Sequence, residues 1–405
     1  MRAALLRGRT SLLLGGGRLV GLMAFAHVVN DGFAYSLSVF LPTLQARFGL
    51  GEAVLAGLVT LVALSSNFAQ GVSGGLVDRW GRRRSAALGV LMVAVMMSFV
   101  PSIPAAWMLI PILLLGGFGS ALFHPSAASL ARHAVHKGGA ALGVFGAGGT
   151  IGVALFPIAA LAILNDVGPG GVQWLAWGGV VAALMLLLAV PPQQRIRPAT
   201  LRRPWDLTNL RGRQGTLLAV GSFQAVADLA FLSSMPLLLT GVWGYSGTSA
   251  VIGTTLASYQ VGAAVGAIGL GMLDGVLGRR LLVSTSLLAS FPLLVLTAFL
   301  NPAAPWFLVV VALAGATGGS VIPLLVAQAQ DEAPGRVGTA TGMQLGVTWG
   351  IAGVAYLGVG ALQQGLGLPV GTMLAYAAML PAVLLMLRIS TQAATGPDED
   401  VSTVR

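Results

Sequence analysis

The five residues His27-Val-Val-Asn-Asp31 lie inside an apolar run from Leu19 to Leu41 and bring polar side chains into surroundings that reject them. With a rise of about 1.5 Å per residue, roughly 20 residues cross a bilayer core, so Asp31 falls near the midplane if this run is a membrane helix. A carboxylate at that depth costs about 2.5 to 3.5 kcal/mol on insertion scales. An acid retained there normally faces a water-filled interior, where it binds or carries something. His27 is one helical turn from Asp31 on the same face, and Asn30, Tyr35 and Ser38 extend the stripe. Such a stripe can exchange protons or recognise a polar solute. The alternative is a neutral, hydrogen-bonded aspartic acid that only joins helices.

A second acid repeats the pattern. Gln224 and Asp228 stand four residues apart inside another apolar run, and Asp31 and Asp228 are the two acids expected deep in helices. Burial of a carboxylate favours its neutral form, so either acid could hold a proton in one state and release it when water or a cation arrives. His124-Pro125 sits in a third run. Proline removes a backbone donor and disfavours helical geometry at the residue before it, so a carbonyl is freed beside a titratable ring. The alternative for His124 is an imidazole satisfied by a neighbouring hydroxyl. His27, His124 and Asp31 could together supply three metal ligands, but no close sequence spacing supports that, and neither a metal nor a cofactor is expected. Tyr35, Phe123, Gln260, Gln344 and Trp349 are candidates to line a cavity, and His133 and His136 read as loop residues.

The elements that must hold these groups follow from composition. Of 405 residues, 56% are hydrophobic and 8% charged, with a mean hydropathy of +0.87. That is far from the roughly 25% charged share of a soluble domain. Apolar runs near 19–41, 53–77, 86–101, 105–131, 140–164, 172–190, 215–240, 248–273, 281–300, 305–329, 338–363 and 368–388 predict twelve transmembrane helices. With an even number of spans, every Lys and Arg except Arg47 falls on the side of the termini, which predicts both termini in the cytoplasm. The net charge of +10 is thereby assigned to topology, and no nucleic-acid partner is expected. There is no cysteine, which excludes disulfides and thiolate metal sites. Residues 1–18 are basic, with an apolar core too short for a cleaved signal peptide, and are expected to form a cytoplasmic tail; 389–405 form the other.

Residues 191–214, rich in Pro and Arg, divide the chain into halves, 19–190 and 215–388. A shift of 196 to 198 residues lays Asp31 on Asp228, Asp78 on Asp274, Gly81 on Gly278, Pro125 on Pro323, Gly148 on Gly346, Thr150 on Thr348 and Gly152 on Gly350. The expected fold is therefore an all-α membrane protein of two pseudo-symmetric six-helix bundles, an architecture in which the halves rock about a midplane site.

Gly74-Gly-Leu-Val-Asp78-Arg79-Trp-Gly81-Arg82-Arg83 closes the second run. It resembles in full the loop signature of the major facilitator superfamily, G-x-x-x-D-R-x-G-R-R. The second-half copy, Asp274-Gly-Val-Leu-Gly278-Arg279-Arg280, is degenerate and one residue longer. Glycines there allow close helix approach, and the acids can accept from a helix N-terminus or an arginine, which suits a gate; the arginines alone would serve as positive-inside anchors. His27-Val-Val-Asn-Asp31, Leu41-Pro42-Thr-Leu-Gln45, Phe48-Gly-Leu and Gly119-Ser-Ala-Leu-Phe-His-Pro125 before Ala131-Arg132 resemble the fosmidomycin-resistance family within that superfamily. The resemblance implies the major facilitator fold and a proton-driven exporter of small, anionic or drug-like molecules in a bacterial inner membrane. Its expected partners are a small-molecule substrate, protons and the lipid bilayer, and a monomer is expected.

Departures from related patterns are visible. No arginine lies deep in the fourth run, and Phe156-Pro157 stands where the antiporter glycine motif has Gly-Pro, although Gly143 and Gly152 keep its spacing. No phosphate-binding G-x-x-x-x-G-K-[ST] loop is present, so direct nucleotide drive is not supported. Two rival readings stand beside export: an uptake permease for a small organic anion or metabolite, and a non-transporting sensor or structural partner. An integral-membrane enzyme has least support, since no nucleophile or metal spacing is recognisable.

Overall fold

The computed structural model describes residues 15–135, 138–191, 212–333 and 337–389. The described residues are α-helical with short 3-10 and π segments and contain no strand. Ten helices among them are long and apolar enough to cross a membrane: Arg82–Ser102, Ala106–Ala134, Ala141–Asp166, Pro169–Ala189, Arg213–Gly241, Ala250–Leu277, Arg279–Phe299, Phe307–Asp331, Ala340–Leu366 and Leu368–Arg388. These are the third to twelfth predicted spans.

The first two spans differ from expectation in being interrupted. The first consists of Gly16–Ala34 and Leu37–Phe48, which meet at a turn through Tyr35 and Ser36. The Ser36 N–H and hydroxyl both donate to the Phe33 carbonyl, at 3.0 and 2.7 Å, so these groups of the turn are paired without water. The second runs as Glu52–Ala63, a π segment Leu64–Phe68 and Ala69–Trp80. Helix therefore begins at Gly16 rather than 19 and resumes at Arg213 rather than 215. Residues 1–14, most of the 191–214 connection and 390–405 lie outside the described residues.

Packing follows the membrane rule that small residues let helix backbones approach. The first and fifth spans cross where Gly148 and Gly152 lie against the carbonyls of Ala24 and Val28; a methyl at either glycine would collide with that backbone. Beneath the crossing, Leu22, Met23, Ala26, Phe123, Ala127 and Phe145 form one tight apolar cluster. The sequence repeat has a backbone counterpart. Gly81 (φ 83°, ψ 142°) and Gly278 (φ 74°, ψ 140°) end the second and eighth spans in the same left-handed conformation, which side chains other than glycine rarely adopt.

The two halves meet toward the end remote from the termini. Ala53 N–H donates to Gln364 Oε1 at 3.3 Å, Thr60 Oγ1 to the Gly353 carbonyl at 2.6 Å, and Thr248 Oγ1 to Asn165 Oδ1 at 3.0 Å. Gly360 lies against Ala56 and Gly353 against Ala63 on the second and eleventh spans. Exposed Trp107, Trp174, Trp177 and Trp306 ring the same end, as aromatic residues do at a membrane interface. Arg79, Arg84, Arg132, Arg213 and Arg388 mark the other end. Arg47 stands among the tryptophan-bearing loops and donates to the Pro101 carbonyl at 2.9 Å.

Candidate functional site

Asp31 is the point on which three helices converge. His27, on its own helix, places Nε2 3.0 Å from Asp31 Oδ2. His124, from the fourth span, places Nε2 3.1 Å from Asp31 Oδ1. Asn30 Nδ2 donates to Asp31 Oδ1 at 2.9 Å and to Ser120 Oγ at 3.2 Å, tying the first span to the fourth. The fifth span contributes the Phe145 carbonyl, 2.7 Å from His27 Nδ1, and the Phe145 ring, stacked on the imidazole at 4.0 Å.

The tautomers are assigned from these bonds. A carbonyl only accepts, so His27 Nδ1 carries the proton that it donates to Phe145, and His124 Nδ1 the one that it donates to the Ser120 carbonyl at 2.9 Å. Both Nε2 atoms then face carboxylate oxygens. Each contact then needs a proton, on the nitrogen or on the carboxyl oxygen, or a cation bound to both atoms, because lone pairs would otherwise oppose lone pairs.

Local sequence explains why His124 is available. Pro125 cannot donate to Ala121 four residues back, and the helix nonetheless runs unbroken from Leu109 to Ala134. The carbonyl of Ala121 is instead taken by Ser73 Oγ of the second span at 2.9 Å. The anticipated freed carbonyl thus becomes a tie between two helices.

The second-half acid is held differently. Asp228 Oδ1 accepts from the Tyr259 hydroxyl and Oδ2 from Gln224 Nε2, each at 2.5 Å. Gln224 also donates to the Gly318 carbonyl at 3.2 Å, and Tyr259 stacks on Phe231. Asp228 is 5% exposed, whereas the side chains of Asp31 and His124 are 14% and 28% exposed. One centre is therefore open and rich in imidazole, and the other is closed with neutral donors.

Phe123 is fully buried in the apolar cluster and packs against both imidazoles, its ring centre 5.9 Å from that of His27 and 5.7 Å from that of His124. Gln344 is 2% exposed and donates to the Leu217 carbonyl at 3.2 Å, a helix-packing contact. Both are corrections: aromatic and amide side chains are as useful between helices as beside solvent, and burial decides. Tyr35 is half-buried at the turn in the first span and meets Trp349 of the other half edge-on, ring centres 6.4 Å apart. His133 is exposed in the last turn of the fourth span, not in a loop, and His136 is outside the described residues.

In the loop motif, Arg79 is exposed, Gly81 makes the left-handed turn, and Arg82 is half-buried in the first turn of the third span. Arg83 Nη1 donates to the carbonyls of Leu187 and Val190 at 3.2 and 3.3 Å, capping the sixth span. The side chains of Gly74 and Asp78 are outside the described residues. In the degenerate copy, Arg279 Nε binds both Asp274 oxygens at 2.9 and 3.0 Å and its Nη1 reaches Asp331 at the end of the tenth span. Sequence reading did not single out Ser120, Phe145 or Tyr259. A tyrosine one residue from Gln260 in mid-span was the available signal for the last.

The model of the Major Facilitator Superfamily matches residues 23–357. The chain belongs to the major facilitator superfamily. It is 27% identical over 354 residues to the fosmidomycin resistance protein of Escherichia coli, covering 83% of this chain and 84% of that protein. It is 30% identical over 333 residues to the multidrug resistance protein MdtG of Citrobacter koseri, covering 76% and 79%. Among solved structures, the nucleoside transporter NupG superposes with a TM-score of 0.73 at 12% identity over 91% of this chain and 99% of that one. An inward-facing bacterial homologue of the human lysosomal transporter Spinster superposes at 0.67 with 17% identity over 92% and 96%. At those identities the superpositions show the fold alone. This superfamily member is a multi-pass membrane transporter and not an enzyme.

Proposed function

We propose that this protein is a proton-coupled secondary transporter that exports a small anionic or drug-like molecule by alternating access, with His27, Asp31, His124 and Asp228 as its polar centre. The observation that carries the reading is the pairing of two imidazole Nε2 atoms with the two oxygens of one carboxylate, 3.0 and 3.1 Å apart, at mid-span. His27 shares a helix with Asp31, so of the two imidazoles His124 is the one that binds the fourth span to the first. Loss of the proton in that contact sets lone pairs against each other and favours a different spacing of these two helices. Proton occupancy is then coupled to helix packing, which is what an exchange cycle requires.

The arrangement of the halves supports the alternating-access part of the reading. Two bundles, 19–190 and 215–388, are joined by a cytoplasmic connection, 191–214, with cytoplasmic tails 1–18 and 389–405. Arginines at one end and tryptophans at the other support cytoplasmic termini in a bacterial inner membrane. With that orientation, contact at the remote end corresponds to an inward-facing state. The Gly74 to Arg83 loop and its copy at Asp274 and Arg279 serve as the gate. The names of the resistance proteins that it resembles support export and make fosmidomycin the first probe to try.

The test is flux in proteoliposomes under an imposed pH gradient. Asp31→Asn is expected to abolish gradient-driven movement of the probe while leaving probe-for-probe exchange. Gradient-driven flux equal to wild type in that variant would remove Asp31 from the coupling role.

A further inference from the structure

Among the described residues, His27, Asp31 and His124 are where three potential metal ligands come together, one ligand atom from each lying within 4.8 Å of the others. We infer that this cluster is a binding site for a borderline divalent cation of the Zn²⁺ class, held by two imidazole Nε2 atoms and the Asp31 carboxylate, with a further coordination position left open. The inference rests on the geometry of the cluster and not on proton coupling.

Three features carry it. First, both Nδ1 atoms are committed to backbone carbonyls, Phe145 at 2.7 Å and Ser120 at 2.9 Å. Metal-ligating histidines are commonly fixed in this way, which aims the Nε2 lone pair at the ion. Second, His27 is 7% exposed and its Nε2 makes no hydrogen bond of acceptable geometry, although it points at Asp31 Oδ2 from 3.0 Å. Third, Gly149 of the fifth span packs its backbone directly on the donors, and only the lack of a side chain lets them stand where they do. A methyl group there would lie 2.6 Å from Asp31 Oδ2 and 2.8 Å from His27 Nε2.

The donor set selects the class of ion. Two nitrogens and one carboxylate suit Zn²⁺, Co²⁺ or Ni²⁺, whereas Mg²⁺ and Ca²⁺ take oxygen shells. Bonds of about 2.0 to 2.2 Å in a tetrahedral shell set neighbouring donors roughly 3.3 to 3.6 Å apart, so binding opens the two N···O separations here by about 0.2 to 0.6 Å. The His124 ring, 28% exposed, has the room to make that shift.

The experiment is calorimetric titration of the purified, tag-free full chain in detergent with ZnCl₂ and separately MgCl₂, with Co²⁺ absorption as a report on coordination. The expected result is one Zn²⁺ per chain, no Mg²⁺ heat, and visible Co²⁺ bands of four- or five-coordinate intensity. His124→Ala and Asp31→Asn should each weaken Zn²⁺ binding more than roughly 100-fold, the upper end of what losing an outer-shell partner costs. His133→Ala, which removes an exposed histidine outside the cluster, should leave it unchanged. Thermal melting selects variants that keep the fold, and His124→Gln replaces any that does not. Absence of Zn²⁺ binding in wild type, or binding within threefold of wild type in folded His124 and Asp31 variants, would overturn the inference. Flux measured with a chelator present separates the two readings, since proton coupling that persists without metal leaves the proposed function standing whatever the titration shows.

Discussion

The Tyr259 hydroxyl donates to Asp228 Oδ1 at 2.5 Å, closing the second-half acid into a network that also holds Gln224. Its counterpart Asp31 faces two histidines instead. The duplicated aspartates thus share a place in the repeat and differ in their partners. Tyr259→Phe removes one of the two side-chain donors and leaves a buried carboxylate oxygen exposed to apolar neighbours. The expected cost is about 1 to 3 kcal/mol of stability, read as a lower unfolding midpoint. Adding Asp228→Leu should recover part of that loss, because the unpaired group is gone. A midpoint unchanged in Tyr259→Phe would show that the network contributes nothing to the fold.

Ser73 takes over the Ala121 carbonyl that Pro125 cannot use. Ser73→Ala should therefore destabilise the protein by about 0.6 kcal/mol, the average for interhelical hydrogen bonds measured in a membrane protein, and by no more than about 1.7 kcal/mol. In the Pro125→Ala background the same substitution should cost less, since an alanine at that position restores the backbone donor. Thermal unfolding of the two single variants and the double variant measures the coupling directly.

The crossing of the first and fifth spans admits no side chain at Gly152, which lies against the Val28 carbonyl. Gly152→Val should force the helices apart and pull the Phe145 carbonyl away from His27. Overpacking of this kind costs about 1 to 3 kcal/mol. The expected outcome is a lower melting temperature together with loss of transport. A folded variant with full transport would separate this crossing from the site.

Thr248 and Asn165 touch across the two halves at the end remote from the termini, with exposed side chains that have room to turn. The chain has no cysteine, so Asn165→Cys with Thr248→Cys places a single thiol pair in an otherwise thiol-free protein. Oxidation should join the pair, arrest transport and be reversed by reductant, because a cycle that opens this end must separate the two residues. Undiminished flux in the fully cross-linked protein would mean that the halves do not part here.

Much was legible in the chain itself. Run lengths of apolar residues fix which segments can cross a bilayer, since the cost of an unsatisfied backbone in lipid leaves helices as the solution. Alternating placement of arginine predicts a side for each connection, and the 196 to 198 residue repeat points to two halves. The i, i+4 rule alone puts His27 beside Asp31 and Gln224 beside Asp228. What it could not supply was partnership between spans. Nothing in the spacing of His124 or Tyr259 says which acid each will meet, because that depends on how helices far apart in sequence pack. The same packing decides that Phe123 and Gln344 are buried wall while Asp31 stays accessible, and that one aspartate sits with imidazoles and the other with a phenol. Apolar periodicity reports which residues avoid water; helix crossings made possible by residues such as Gly148 and Gly152 decide which polar atoms end up within about 3 Å of each other.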